Sequence, residues 1–489
     1  MRHRATKHGP TKHRSKHRSK HHKRHVKPRR HRLHRPPRPS SPTGPTTPQT
    51  LLTGPMVDRL FWRAGFGPSA ADRARWTGKP LQAAVDWLLS TPAGLAGPPP
   101  TRAGNPLDPT GDDTDLVLSW LDQMVRATNP FVERLTFFWH RHWANSRDQV
   151  SPPQLLMSQN SLFRRYADLG SNSKATFREL ALEVTVDPSM LRYLTGESNV
   201  KGAPNENYGR ELMELFSLGV TDSGGHPNYS QGDVQQLAKA LSGWQINDDN
   251  PDHAYSYFTP SRWYNGPKIV FRQFGNWSAG DAVNLVLGHP SHAPFLINKL
   301  WREFIVGAPD ATSLRRLIST YTGNALQLKP LLQQILTHPA LFASLDEPDM
   351  VKPPVVYVVG AMRALGLTVT DSTAADDLNG MGQTPYFPPN VSGWEGGLSW
   401  LNTNTALARF SFVSQLLTKT VIADVPGETA SAAYDRAYAA AGQPWLAAGT
   451  QSAIRNFAQT APSAGVSQRK QRQLALRALM LAGPDAQVM

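Results

Sequence analysis

The stretch NPFVERLTFFWHRHW, residues 129–143, predicts the fold class of this chain. Asn129 is a residue type that caps helix N-termini, and Pro130 suits the first helical position because the amide proton it lacks is not needed there. The large apolar residues that follow share one arc of a helical wheel with His142. We therefore expect an amphipathic helix and interpret His142 as facing the core.

The same helical pattern continues outward from this stretch. From Met56 onward, apolar residues recur every three or four positions, and Pro, Gly and Asn mark the breaks. Ser230 and Asp233 form a capping-box arrangement before a further helix. Other helices are predicted near residues 81–90, 113–127, 154–168, 174–186, 292–306, 328–337, 353–365, 403–418, 430–441, 444–459 and 468–482. The best strand candidate is KIVFRQF, 268–274. The pattern thus predicts a mainly α fold: a multi-helix globular domain with long irregular loops and at most a short β-hairpin.

The positive charge of the chain is concentrated at its beginning. Of the 52 lysine and arginine residues, 16 lie in residues 1–50 with 9 histidines and no acidic residue, which leaves 36 basic against 37 acidic residues elsewhere. Residues 1–54 are therefore predicted to be a disordered basic tail with a Pro-rich linker. Because the remainder is neutral, it gives little reason to expect a nucleic-acid-binding domain. We divide that remainder into a helical domain, 55–420, and a C-terminal helical extension, 421–489, packed on the same body.

Residues 1–50 favour a partner with negative charge. The functional interpretation is an anchor on an anionic polymer: nucleic acid, a wall polymer or a lipid surface. The alternatives are a solubilising tail without a specific partner, or a start codon assigned upstream of the true one.

Several classes of protein are excluded by what the chain lacks. It has no cysteine, which excludes disulfides, thiolate zinc sites and a cysteine nucleophile. No apolar run reaches the ~18 residues of a transmembrane helix. No apolar segment follows Arg29-Arg30 as an export signal requires, so the chain as written predicts a cytoplasmic location. The usual signatures of hydrolases, kinases and dehydrogenases are also absent.

The stretch PNENYGRELMELFSLGV, 204–220, carries the first candidate site residues. As a helix, it places Glu206, Arg210 and Glu214 four residues apart on one side, where exposed ion pairs contribute roughly 0.3–0.5 kcal/mol each. Gly219 is placed to end this helix.

Asn207 and Glu211 in the same stretch lie at the edge of its apolar stripe, so we expect both to be half buried. A buried carboxylate needs a partner or a raised pKa. Glu211 is therefore the leading catalytic candidate, with Asn207, Arg210 and Glu206 beside it. The alternative is a structural hydrogen-bonding role.

The two histidines of the opening stretch form the second candidate site. On a helix, His140 lies about 160° from His142, so the two rings could not bind one ion. If the helix ended near Trp139, both rings would point to one side, and a divalent metal held by His140, His142 and Glu211 would be an alternative. As a helical residue, His142 is either a hydrogen-bonded core histidine or an acid–base catalyst.

The stretch GQTPYFPPNVSGWEGGLSWLNTNT, 382–405, predicts a long rigid loop. Loops of this length are usually functional or disordered, and this one is too aromatic for disorder. Trp394 and Trp400 could stack on sugars or cations, with Glu395 over an opening. The alternative is a loop that fills a gap between helices.

At these residues the chain resembles the bacterial domain of unknown function 1800 family. The resemblance rests on segments in the family's order, over roughly residues 55–420: LFWRAGFGPSAAD (60–72), ERLTFFWHRHW (133–143), DPSMLRYLTG (187–196), PNENYGRELMELFSLGV (204–220), DVQQLAKALSGW (233–244), HPSHAPFLINKLWREF (289–304) and FPPNVSGWEGGLSWLNTNTALAR (387–409). It implies a largely helical, often exported protein of the cell envelope. It also implies, as a partner, an exported protein that looks like a sulfatase or phosphatase. The family has no assigned activity, so the resemblance implies no mechanism.

The chain departs from many members of that family just before Lys268. Where those members carry a His-Asp pair, this chain has Tyr264 and Asn265. We include Lys268 among the candidate binding residues because of this position.

Two classes of function follow from these patterns. The first is an enzyme, hydrolase-like or metal-dependent, in which the helix at 204–218, the segment at 133–143 and the loop at 382–401 enclose one polar pocket. The second is a non-catalytic binding or scaffold protein, tethered by its basic tail and using the aromatic loop to engage a protein or polysaccharide. No cofactor is identified, and a divalent metal is the only one considered.

Overall fold

The computed structural model describes residues 50–489, and these residues form a mainly helical body. The first ten helices are α1 Gly54–Arg63, α2 Ala70–Trp76, α3 Leu81–Ser90, α4 Asp113–Arg126, α5 Pro130–His142, α6 Pro153–Ala167, α7 Phe177–Thr185, α8 Pro188–Tyr193, α9 Asn207–Glu214 and α10 Gln231–Ala240. The next ten are α11 Ala279–Leu287, α12 His292–Phe304, α13 Ala311–Gly323, α14 Leu328–Leu336, α15 Pro354–Leu365, α16 Thr373–Gly380, α17 Thr403–Thr418, α18 Ala430–Ala440, α19 Ala448–Thr460 and α20 Val466–Ala482.

Between residues 50 and 489 the strands form three short antiparallel pairs. The strands are β1 Thr101–Arg102, β2 Asn105–Pro106, β3 Trp244–Asn247, β4 Tyr255–Phe258, β5 Lys268–Val270 and β6 Gln273–Gly275, paired in sequence order. The predicted hairpin at 268–274 is β5–β6. The mainly α fold class is confirmed, with small strand pairs confined to connections. The predicted tail lies outside the described residues, apart from its last few positions.

Helix ends formed where the capping residues predicted them. The side chain of Asn129 accepts the amide of Phe131 at 3.3 Å, and Ser230 and Asp233 form the reciprocal capping box at the start of α10. Sequence patterns missed α1, α2, α8, α11, α13 and α16. Two of these show why: α8 has only six residues, and α13 buries only Leu317 and Tyr321, so each gives a weak periodic signal.

Helix α5 lies at the centre of the core. Every residue from Pro130 to His140 is buried, as is His142, and only Arg141 is partly exposed. A helix buried on every side must pair its polar groups with neighbouring elements. The positions of those partners determine which candidate residues come together.

The C-terminal residues pack on the same helices. The hydroxyl of Tyr357 in α15 donates to the carbonyl oxygen of Leu481 in α20 at 2.8 Å, and Val351 bridges to Val488. The division of the body at residue 420 stays a prediction. Among the described residues, no helix combines the length and apolar character that a membrane crossing needs.

Candidate functional site

The segment directly after α9, residues 215–219, presents its main-chain carbonyl groups to side chains from other elements. Lys299 Nζ donates to the carbonyl oxygen of Leu215 at 2.7 Å. His142 Nε2 donates to that of Phe216 at 3.0 Å, and His292 Nδ1 to that of Ser217 at 3.2 Å. We call Lys299, His142, His292 and Asn228 the α9-end cluster.

Asn228 completes this cluster. Its Nδ2 donates to the carbonyl oxygens of Leu218 at 3.0 Å and Gly219 at 2.9 Å. Gly219 has a φ of +79°, and its amide donates to the carbonyl oxygens of Met213 and Glu214, but α9 itself ends at Glu214, earlier than predicted. Five consecutive carbonyl groups thus receive a side-chain donor, each such bond contributing about 1 kcal/mol. The Lys299 ammonium, at the negative end of the helix dipole, adds to this.

Burial controls the charge of the α9-end cluster. It lowers the pKa of His142 well below the usual value, and the nearby Lys299 ammonium lowers it further. The pKa of His292 falls to about 4, again through burial. Burial, with a smaller contribution from Arg141, lowers the pKa of Lys299 to about 8. Both imidazoles are therefore neutral near pH 7, and Lys299 Nζ lies 3.4 Å from the free Nδ1 of His142.

His140 faces the opposite side of α5 from His142. Its Nε2 accepts the main-chain amide of Tyr386 at 3.1 Å, and burial lowers its pKa to about 3. Helix α5 continues to His142, so the extended geometry on which a metal held by both histidines depended is not present. Within residues 50–489, no group of three or more His, Cys, Asp or Glu side chains is arranged to hold a metal ion.

Glu211 is half buried, as predicted. Burial raises its pKa, repulsion from Glu214 raises it further, and Arg210 acts in the opposite direction. In the described part of the chain its carboxylate makes no hydrogen bond or ion pair. Its charge adds to the burial that raises the pKa of Tyr193.

The other polar residues of α9 are occupied or exposed. Arg210 donates to Glu206 at 2.8 Å, as the predicted ladder requires, but Glu214 accepts the hydroxyl of Tyr229 at 2.8 Å instead of extending it. Asn207 was expected to be half buried and is exposed, because its side chain turns outward to donate to Thr195 Oγ1 at 3.1 Å.

The loop at 382–401 fills a gap beside α5. Trp394 is 7% exposed and lies 5.7 Å from the ring of His140, centroid to centroid. Trp400 is 5% exposed and packs with Val351. Both rings are therefore covered by protein, contrary to the expectation that they face a ligand. Glu395 between them is exposed.

Lys268 is held inside a small aromatic and carbonyl cage. Its Nζ donates to Asn276 Oδ1 at 2.8 Å and to the carbonyl oxygen of Gly266 at 3.0 Å. It also lies 4.5 Å from the ring centroid of Trp263 and 5.5 Å from that of Tyr264. Burial lowers its pKa to about 8. This environment occupies the lysine with protein partners.

Sequence reasoning missed a buried polar chain beside α8. Asn145 Nδ2 donates to Gln159 Oε1 at 2.6 Å, and Gln159 Nε2 donates to Asp187 Oδ1 at 2.8 Å. Burial raises the pKa of Asp187 to about 7. The Asp-Pro pair at 187–188 could have marked the start of α8, which the sequence patterns missed, but the tertiary partners of Asp187 left no pattern in the sequence. Lys299 and His292 were missed for the same reason.

The turn of hairpin β5–β6 lies between two clefts. Phe271 and Arg272 have φ values of +49° and +63°, a left-handed conformation that costs about 1–2 kcal/mol for a residue with a side chain. The amide of Phe271 donates to Asp233 at 2.7 Å, and its ring lies 4.9 Å from that of His289. Phe271 and His289 line both clefts, which measure about 560 and 670 Å³.

Unbonded polar groups surround this turn. The side-chain amides of Gln236, Gln273 and Asn284 line the clefts and have no hydrogen-bonding partner among the described residues. The Trp277 ring lies against Gly275, where an added Cβ would come to about 2.5 Å from it. We call the turn residues 271–273 with Asp233, Gln236, Trp277, Asn284 and His289 the hairpin face.

Helix α9 positions one wall of this face. Asn228 and Tyr229 line the larger cleft, and both are bonded to the α9 region: Asn228 to the carbonyl groups at 218–219, Tyr229 to Glu214. Glu214 and the main-chain carbonyl groups after α9 therefore fix one wall of this cleft.

This architecture defines a mainly helical protein whose buried polar side chains bind main-chain carbonyl groups. The family described as "Protein of unknown function (DUF1800)" matches residues 59–488, and the chain belongs to that family. Comparison with curated proteins and with solved structures gave no match. The envelope location and the sulfatase- or phosphatase-like partner implied by the resemblance stay predictions.

Proposed function

We propose that this protein is a binding protein whose hairpin face recognises an uncharged, hydroxyl-rich polymer of the polysaccharide class. The observation that carries the proposal is the strained turn at Phe271–Arg272, which holds an aromatic ring between two clefts. Strained backbone persists where the surrounding structure enforces it, and it concentrates at functional sites.

The chemistry of the lining supports a sugar ligand. The unbonded amides of Gln236, Gln273 and Asn284 offer both donors and acceptors, as hydroxyl groups require. Trp277 and Phe271 supply apolar ring surface beside them. Two clefts joined by one ring suit an extended chain better than a single small molecule.

The charge of the lining supports an uncharged ligand. Asp233 and Asp281 are each bound in a helix-capping box, and Arg272 supplies one exposed positive charge. His289 Nδ1 accepts the amide of Ser291 at 3.2 Å, and burial lowers the pKa of this histidine, so the ring is neutral near pH 7. Its Nε2–H is then a donor for a ligand hydroxyl.

The test uses the full chain and neutral soluble polysaccharides, because the basic tail would retain charged ones. Trp277→Ala should weaken binding about tenfold, as expected when ring contacts of ~1.5 kcal/mol are lost. Phe274→Ala is the matched control: Phe274 is a 71% exposed aromatic on the same hairpin that lines neither cleft. Equal affinities for the wild type and Trp277→Ala, measured by calorimetry across a panel of glucans, mannans and chitin oligomers, would refute the proposal.

A second candidate is a hydrolase-like enzyme with Glu211 as general base. The observation that favours it is the half-buried carboxylate of Glu211, which has a raised pKa and no bonded partner in the described residues. A general base needs a pKa near the working pH and a free oxygen. Chromogenic ester, phosphate and glycoside substrates test it. Any hydrolysis should fall about a hundredfold in Glu211→Gln and stay unchanged in Glu347→Gln, at an exposed glutamate outside the candidate residues; equal rates in both variants would exclude Glu211.

The basic tail supports a separate tethering role. Residues 1–50 are proposed to anchor the protein on an anionic polymer through charge alone, which predicts a steep loss of binding with added salt. A chain lacking residues 1–50 should elute from immobilised heparin at low salt, where the full chain is retained. If the shortened chain were retained equally well, the tail would not be the anchor.

A further inference from the structure

A third cleft lies between the loop after α1, the ends of α4 and α15, and residues 439–443. Its volume is about 510 Å³. Half of the residues that line it are glycine or alanine, which leaves room beside the larger apolar side chains of Trp62, Phe66 and Leu367. It shares no lining residue with the hairpin face.

The charges in this cleft are all positive. Arg73, Arg126 and Arg363 line it, and no acidic residue does. Arg73 is paired with Asp58 at 2.6 Å and Arg126 with Asp122 at 2.6 Å. Arg363 has no such pair within residues 50–489.

Arg363 is held by one of its three nitrogens. Its NH1 donates to the carbonyl oxygens of Met124 at 3.3 Å, Val125 at 2.7 Å and Ala127 at 3.0 Å, at the C-terminal end of α4. Nε and NH2 have no hydrogen-bonding partner in the described residues. These two donors form the edge of a guanidinium that binds a carboxylate or phosphate through two parallel hydrogen bonds.

A second basic side chain, that of Lys352, lies against the aromatic wall of the cleft. The ammonium of Lys352 is 3.8 Å from the ring centroid of Trp62, and its Nζ donates to the carbonyl oxygen of Ala486 at 2.8 Å. Lys352 forms no ion pair in the described part of the chain. Burial lowers the pKa of Lys352 to about 7, so this amine is only partly charged near neutral pH and Arg363 is the principal site for a head group.

We propose that this cleft binds an anionic amphiphile, with a carboxylate or phosphate head on the Nε–NH2 edge of Arg363 and an apolar chain against Trp62 and Leu367. The guanidinium selects the head group: Asp72 acts on it electrostatically, but the Asp72 carboxylate is bonded to Ser69 in a capping box and forms no ion pair with Arg363. The apolar, glycine- and alanine-rich walls accept the chain, because burying apolar surface is favourable wherever side chains leave space.

The experiment titrates the full chain with decanoate, decanol and acetate below the micelle concentration, following tryptophan fluorescence and calorimetry. Decanoate should bind at least about tenfold more tightly than decanol or acetate, because only it offers both parts of the ligand. Equal affinity for decanol would remove the role of Arg363. Equal affinity for acetate would show that the apolar chain does not contribute to binding. Either result overturns the proposal.

Two variants separate binding from folding. Arg363→Gln removes the head-group edge, and Ala96→Trp fills the cleft from an exposed lining position without touching the arginine. Each should weaken decanoate binding about tenfold or more. Arg315→Gln is the matched control, since that arginine is exposed on α13 and bonds only Thr312. Wild-type affinity in Ala96→Trp would place any bound decanoate elsewhere, including on the basic tail, and would refute the proposal.

Discussion

At the end of α9, each carbonyl group from Leu215 to Gly219 receives a side-chain donor, whereas at the hairpin face three side-chain amides have no partner among the described residues. The first region was predicted to be a site because it concentrates polar residues on inward faces. The second gave no such pattern. The comparison teaches that a polar side chain facing inward often forms a hydrogen bond to a main-chain group. Polar groups available to a ligand lie instead where the fold leaves them without a protein partner.

The largest expected effect concerns pH and the buried imidazoles. Burial lowers the pKa of His140 to about 3 and of His292 to about 4, and places that of His142 well below its usual value. In the unfolded chain each titrates near pH 6.5. Below that pH the unfolded state binds more protons, so the free energy of unfolding falls as the pH drops from about 6.5 to about 4.

The size of this effect can be measured by urea unfolding between pH 7.5 and 4.5. Each imidazole contributes up to ~1.4 kcal/mol per pH unit, and Asp187, whose pKa is raised to about 7, offsets one of the three. The contribution of about two imidazoles remains. We therefore expect the free energy of unfolding to fall by ~3 kcal/mol for each pH unit below about 6.5. His140→Phe should reduce the slope by about 1.4 kcal/mol per pH unit. An unchanged slope in that variant would show that the imidazole is not buried in its neutral form.

The next effect tests the α9-end cluster by removing one donor. His142→Phe keeps a ring of similar size but leaves the carbonyl oxygen of Phe216 without its partner. The free energy of unfolding should fall by about 1–3 kcal/mol. His226→Phe, at a histidine whose side chain is 81% exposed, should change it little. If both variants unfolded alike, or if His142→Phe lost polysaccharide binding without losing stability, the structural role of the cluster would be wrong.

A smaller effect tests the strain in the hairpin turn. Arg272→Gly places the residue best suited to positive φ at +63°, so the free energy of unfolding should rise by about 1 kcal/mol. The same change removes the exposed guanidinium from the larger cleft and frees the turn, so polysaccharide binding should weaken. Thermal unfolding and calorimetry of one preparation measure both. A variant that bound more weakly but was no more stable would contradict the idea that the turn is strained.

The smallest effect concerns the exposed ladder on α9. Glu206→Gln removes the ion pair with Arg210, in which both side chains are partly exposed. The free energy of unfolding should change by no more than about 0.5 kcal/mol. Denaturant unfolding measures this change. If the free energy of unfolding fell by much more than that value, the exposed side of α9 would have a structural role like that of the α9-end cluster.

The helices could be predicted because their signals are local. Capping residues such as Asn129 and Ser230 and the spacing of apolar residues depend only on neighbours in sequence, and the structure confirms the helices they predicted. The partners of polar side chains depend on tertiary packing. His142 is 74 residues from Phe216 and 157 from Lys299, so no local pattern specified its hydrogen bonds.

The candidate site was predicted less well for the same reason. Burial of His142 and half burial of Glu211 followed from helical periodicity. The outward turn of Asn207 and the burial of Trp394 did not, because each depends on a contact with a distant segment. The hairpin face was missed because neither the conformation at Phe271 nor the cleft beside it leaves a residue pattern.

The enclosed position of α5 has a consequence for how the chain can be shortened. His140 takes its hydrogen bond from Tyr386, 246 residues further along, and Arg134 is paired with Glu303 at 3.0 Å. A fragment ending before residue 386 would expose the apolar surface of this helix and leave His140 without its hydrogen-bonding partner. Exposed apolar surface favours aggregation. Chains truncated from the C-terminal side before Tyr386 should therefore be insoluble. A soluble product should retain Tyr386.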